Sequence, residues 1–172
     1  MSSKPTTATS SGTRSPWSAS VRTALAEAGL PVLDELVAPV TRLHRPDGAA
    51  AMARLLDAPA GPGGVDAVFC FTDELALGAV RTLADQGLRV PEDVAVVGFD
   101  DIEDGRYAVP SLSTVSPDKE EIARLALQCL ADRIADPSAP ARDLVAGHRL
   151  LARGSTARAR AARDAPAEVP ML

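Results

Sequence analysis

Between Asp66 and Phe99 the chain carries two short apolar runs with an amphipathic stretch between them. The run Asp66-Ala-Val-Phe-Cys-Phe71 is unbroken over a strand's length, the pattern of a strand buried on both faces. After it, Thr72 or Asp73 supplies an N-cap, and Leu75, Ala76, Ala79 and Leu83 line one side of a predicted helix that stops at Gly87. Val94 to Phe99 predicts a second buried strand. Strand, helix, strand in this order is a βαβ unit, whose two strands run parallel across a right-handed crossover, so the expected fold class is α/β with a parallel sheet. Upstream, Val21, Ala24, Leu25 and Ala28 predict a helix over Ser18 to Ala28, stopped by Gly29 and Pro31. Leu36 to Val40 predicts a strand that Pro39 confines to a sheet edge, and Ala49 to Leu56 a short helix followed by a turn-rich connector from Pro59 to Gly64. Downstream, Leu112 to Val115 predicts a short third strand. Ser116 is expected to cap a helix with Pro117 in its first turn and Ile122, Leu125, Ala126, Cys129, Leu130 and Ile134 as its stripe. Asp143 to Leu151 reads as a last strand.

Composition sets the limits of this folded part. The chain has 172 residues, 46% hydrophobic and 24% charged, which excludes wholesale disorder and leaves room for about one domain. Residues 1–16 are mostly Ser, Thr, Pro and Gly and read as a disordered tail. Residues 157–172 mix Arg, Ala and Pro and read as a frayed one, so the expected domain runs from 17 to 156. Aromatic residues make up only 3%, so the core must be aliphatic. A net charge of −5 offers no broad basic face to a phosphate backbone. Cys70 and Cys129 read as two free thiols in apolar runs, which suits a reducing cytoplasm; no apolar run of about 18 residues and no secretion signal stands in the sequence, so no membrane partner is expected.

Parallel strands deliver the residues beyond their carboxyl ends to one edge of the sheet, where open α/β sheets bind ligands. Here the first strand leads into Thr72-Asp73-Glu74 and the second into Asp100-Asp101, so hydroxyl and carboxylate groups are expected to converge. Carboxylates without a metal or basic partner in their motif suit neutral polyhydroxy ligands, whose hydroxyls they accept. The plainer reading stands beside it, with Asp73 only capping its helix and Asp100, Asp101, Glu103 and Asp104 only solvating a loop. Gly61-Pro-Gly-Gly64 lacks the Lys and Ser or Thr of a phosphate cradle, and His44 and His148 have no ligand-spaced neighbours, so no metal site and no cofactor are expected. Nor is there a G-x-S-x-G elbow. The one enzyme reading left is phosphoryl transfer by Mg²⁺ held between Asp73, Asp100 and Asp101.

The run DAVFCFTDELALGAVRTLADQGLRVPEDVAVVGFDD, then PSLSTV, then RLLARGST, resembles the effector-sensing domain of the LacI/GalR family of bacterial transcription regulators. The resemblance spans about Trp17 to Thr156 and is densest from Val65 to Val115. It implies a two-lobed, periplasmic-binding-protein-like domain closing on a small effector, a sugar or nucleoside, in a homodimer that reaches DNA through a separate helix-turn-helix. Asp100 then matches the acidic residue that binds effector hydroxyls. Thr72 stands where many relatives have Asn, and Asp73 comes second in the pocket or at the helix cap. Trp17 falls where many relatives carry an effector-binding Arg; its indole can stack on a sugar face but makes no charged contact.

The resemblance leaves the helix-turn-helix, the hinge, nearly all of the first lobe and the strand that opens the second lobe without a matching stretch, so each is expected to be absent. In relatives the helix matching Pro117 to Ala135 packs in the first lobe, so its apolar stripe is expected to lie open. The expectation is therefore a truncated, cytoplasmic, non-enzymatic sugar-sensing repressor domain with ligand residues Thr72, Asp73, Asp100 and Trp17. The alternatives are a dimerisation or decoy module that pairs with an intact relative, and the metal-dependent phosphoryl-transfer enzyme.

Overall fold

The computed structural model describes residues 5–10, 16–58 and 64–157, with side chains from residue 19 onward. One sheet of order β2-β1-β3-β4-β5-β6 organises them. Its strands are β1 Pro5–Ser10, β2 Val37–Val40, β3 Ala67–Cys70, β4 Ala95–Phe99, β5 Ser113–Pro117 and β6 His148–Leu151. The first five run parallel, and β6 lies antiparallel to β5. Among the described residues five α-helices accompany them, α1 Pro16–Glu27, α2 Arg45–Asp57, α3 Asp73–Asp85, α4 Glu103–Tyr107 and α5 Lys119–Ala135, with a 3-10 turn at Asp34–Leu36 leading into β2. This mixed α/β architecture, dominated by parallel strands, is the one expected from the βαβ pattern.

The core lies between the sheet and the pair α2 and α3. Leu75, Ala76, Ala79 and Leu83 of α3 are all buried, as are Met52 and Leu55 of α2. They meet Ala38, Val40, Val68, Cys70 and Val96 from three strands. The two helices cross closely because both contact points are glycine: a Cβ at Gly48 would overlap the backbone of Leu75, and one at Gly78 the backbone of Arg45. Burial in β3 alternates, with Val68 and Cys70 inside and Ala67 and Phe69 half-buried. The expectation of burial on both faces is thus met on the α2–α3 face only. Phe69 and Phe71 share the other face and pack edge to face with centroids 5.4 Å apart.

Several boundaries differ from the sequence reading. Pro5–Ser10, placed in a disordered tail, is β1, and it pairs with β2 on one side and β3 on the other. Its run PTTATS lacks an apolar alternation, but both backbone edges are hydrogen-bonded, which outweighs its weak intrinsic preference. A strand therefore does stand before β2, where the resemblance left one missing. The cap of α5 is Asp118, whose carboxylate accepts from Glu121 N–H at 2.9 Å, while Ser116 and Pro117 belong to β5. The acidic stretch after β4 forms the short α4. The connector Pro59–Gly64 (except Gly64) and the tail 157–172 (except Ala157) lie outside the described residues.

The segment after β6 closes the middle of the sheet. Ser155 accepts from Val96 N–H at 3.0 Å through its carbonyl and donates from N–H to Ser111 O at 2.9 Å. Its hydroxyl donates to Val96 O at 2.6 Å and accepts from Ser113 N–H at 2.8 Å. A late residue thus bridges β4 and the approach to β5 where the two do not pair directly.

Candidate functional site

The carboxyl ends of β3, β4 and β5 face one edge, and they bring the acidic groups together as parallel strands require. Their roles there diverge. Thr72 is the N-cap of α3, its Oγ1 accepting from Leu75 N–H at 3.2 Å, which leaves the hydroxyl hydrogen able to donate elsewhere. Asp73, the first helical residue, turns inward and is 1% exposed. Thr114 Oγ1 donates to one of its oxygens at 2.7 Å and Ile102 N–H to the other at 2.9 Å. Room for it exists because residue 98 is glycine; a Cβ there would overlap Asp73 Oδ1. Burial pushes the Asp73 carboxyl above the usual range, and the bonds from Thr114 and Ile102 pull it part of the way back. Asp73 is thus not the helix cap, and its carboxylate is turned into the protein against Thr114 and Ile102.

Asp100 and Asp101 follow β4 in consecutive left-handed conformations, with φ of 111° and 53°. Residues other than glycine adopt such backbone at a cost of about 1–3 kcal/mol each, and they persist where the surroundings enforce them. The Asp100 N–H donates to Val115 O at 3.0 Å. Its carboxylate is half-buried and accepts no hydrogen bond among the described residues. Burial raises its pKa and nearby Asp73 adds to this, while Lys119 opposes them.

Asp101 is the opposite case. Arg153 donates to its Oδ1 at 2.6 Å, and Arg106 at 2.9 Å and Ser116 at 3.3 Å donate to Oδ2. The carboxylate is only 9% exposed and Arg153 19%. Burial works to raise its pKa, but the two guanidinium groups outweigh it and hold it at about 2. Arg153 also donates to Leu112 O at 2.9 Å, fixing its fork. This arginine lies within RLLARGST, where no local signal gives it a role; its partner is 52 residues away.

Beside this network a cleft of about 520 Å³ is lined by Asp101, Arg106, Ser116, Lys119, His148 and Arg149, among others. Thr72 and Asp100 are not part of its lining. A second cavity of about 550 Å³ sits at the far end of α5 by Cys129, Asp136 and Arg142 and shares no residue with the edge. Trp17 lies in α1, but its side chain is outside the described residues. Among the described residues no group of three or more His, Cys, Asp and Glu is placed to hold a metal ion. Of the three aspartates considered for Mg²⁺, one is paired to two arginines and one is closed over by Thr114 and Ile102.

The model of the periplasmic binding protein-like domain family matches residues 5–156. The ribose operon repressor of Haemophilus influenzae is 46% identical over 79 residues, which is 46% of this chain and 24% of the repressor. A transcriptional regulator of the LacI family from Sanguibacter keddieii has a solved structure that is 44% identical, with a TM-score of 0.77 over 90% of this chain and 60% of that one. The complex of the transcriptional regulator CelR with cellobiose is 34% identical, with a TM-score of 0.78 over 88% of this chain and 46% of that one. The chain therefore spans less than two thirds of each of these relatives. No described helix is long and apolar enough to cross a membrane. With its parallel sheet, its acidic carboxyl edge and these likenesses, the chain belongs to the periplasmic binding protein-like domain family, as an effector-binding domain of the LacI/GalR type.

Proposed function

We propose that this chain is the sensing part of a cytoplasmic LacI-type transcription regulator, that it is not an enzyme, and that it recognises a neutral polyhydroxylated small molecule, a sugar or nucleoside, through Asp100. The observation that carries this reading is the contrast among three neighbouring carboxylates. Asp73 and Asp101 are consumed by internal partners, whereas Asp100 stands half-buried at the sheet edge with no donor among the described residues. Such a carboxylate gains two charge-assisted bonds when a pair of sugar hydroxyls arrives. Thr72 is assigned a secondary contact through its remaining hydroxyl hydrogen, and Trp17 a stacking contact. DNA is contacted through a separate helix-turn-helix and the working unit is a homodimer. Titration calorimetry with D-ribose, D-glucose, cellobiose and adenosine tests this: one of them binds, and Asp100→Asn weakens it about tenfold or more. Equal heats from the two proteins would sink the assignment.

A second reading, association with another chain, is supported by α5. None of its 17 residues is buried, and Leu127 and Ile134 are 67% and 72% exposed. Light scattering over a concentration series tests it, and a strictly monomeric chain rejects it.

A further inference from the structure

We propose that Asp73 is a positioning residue for effector recognition, holding the Asp100–Ile102 turn in the left-handed shape that presents the Asp100 carboxylate at the sheet edge. The inference rests on the reading of Asp100 given above. Two consecutive residues with side chains in left-handed backbone do not stay there unaided. Asp100 is tied at its own N–H to Val115 O, which fixes where the turn begins. Its far end is fixed by Asp73, whose Oδ2 accepts from Ile102 N–H at 2.9 Å. The other oxygen is anchored by Thr114 Oγ1 at 2.7 Å, and Thr114 is itself fully buried. Asp73 therefore joins α3, the turn and β5 through one side chain. The sheet is adapted to it, since the Oδ1 atom fills the place where any residue but glycine at 98 would put its Cβ. Asp73 acts at a distance, through the backbone that carries Asp100.

The chemistry defines graded variants. Asp73→Asn keeps an oxygen for Ile102 N–H and turns its amide toward Thr114, whose hydroxyl can accept instead of donate. Asp73→Ala leaves Ile102 N–H unpaired and the Thr114 hydroxyl with only its longer bond to Val115 O at 3.4 Å. In the full chain, amide hydrogen exchange without ligand is expected to speed up about a hundredfold or more at Ile102 in Asp73→Ala, while β3 and β4 amides stay protected. Unchanged protection at Ile102 overturns the proposal. Against the same four ligands, Asp73→Ala is expected to bind about tenfold more weakly below its melting temperature, Asp73→Asn within about threefold of the parent, and Asp73→Ala/Asp100→Asn no more weakly than Asp100→Asn alone. A residue that only stabilises the fold would lower the melting temperature and leave the affinity of the folded protein untouched. That outcome, or full additivity of the two losses, also overturns the proposal. If the parent and Asp100→Asn bind all four ligands alike, or bind none, the reading of Asp100 fails, and the exchange experiment decides the role of Asp73 by itself. Should Asp73→Ala not fold, Thr114→Val removes the donor to Asp73 Oδ1 together with the acceptor that Asp101 N–H reaches at 3.4 Å. About a threefold loss of affinity with faster exchange at Ile102 is then expected, and unchanged exchange at Ile102 overturns the proposal.

Discussion

The half of the sheet under α2 and α3 and the half that carries α5 are built from similar sequence patterns with opposite results. Both α3 and α5 are amphipathic and both are capped by a side chain that accepts an N–H, Thr72 for one and Asp118 for the other. Helix α3 buries its entire stripe, whereas α5 has no fully buried residue and only Leu125 and Cys129 of its stripe are half-buried. Cap and stripe therefore specify a helix and its intended face, but only a surface opposite that face turns the pattern into stability.

The contrast is broken most severely at the helix crossing. Gly78→Val sets a branched side chain against the backbone of Arg45 and is expected to cost more than about 3 kcal/mol, read as a collapse of the cooperative thermal transition. Leu83→Ala empties a fully buried site under α3 and is expected to cost about 3 kcal/mol by denaturant unfolding. The two halves are stapled by Asp101 and Arg153, so Asp101→Asn probes the join. The carboxyl sits at about 2 in the folded chain against about 3.9 when unfolded, so its contribution of about 2–3 kcal/mol is complete above pH 5 and is lost as pH falls through 2. Urea melts at pH 7 and pH 3 should show the Asn variant less stable at the first and closer to the parent at the second. Asp100 has the opposite sign, because its raised pKa makes stability fall as pH rises through the carboxylate range. Asp100→Asn is thus expected to melt no lower than the parent at pH 7. The smallest effect belongs to Leu130→Ala on open α5, which should change stability by less than about 0.5 kcal/mol. A loss like that of Leu83→Ala would mean that the helix is covered in solution.

How much of the fold and site is legible in the sequence depends on where each signal lies. The stripe of α3, its Thr72 cap and the two flanking strands are encoded within about 35 consecutive residues, and each stands where the pattern puts it. Strand β1 escapes a local reading because PTTATS is a strand only through its two neighbours. The site divides in the same way. That Thr72, Asp73 and Asp100 meet at one edge is a consequence of parallel strands alone. Which carboxylate is spent and which is left open depends on Thr114, Gly98 and Arg153, each set by contacts across 25 to 52 positions that no local spacing reveals. The cap of α5 lies two residues beyond its expected place because Ser116 and Asp118 are both good caps by type, and only the extent of β5 chooses between them.

The bridge made by Ser155 has a bearing on damage as well as on architecture. Its four hydrogen bonds seal an interior seam with a residue from beyond the last strand. A protease cut or a frameshift just ahead of Arg153 would therefore not trim a dispensable fringe. It would unseat the carboxylate staple and strip the bridge from Val96, Ser111 and Ser113, leaving β4 and β5 joined only by their own pairing from Val97 to Phe99, beneath the edge where ligand recognition is proposed.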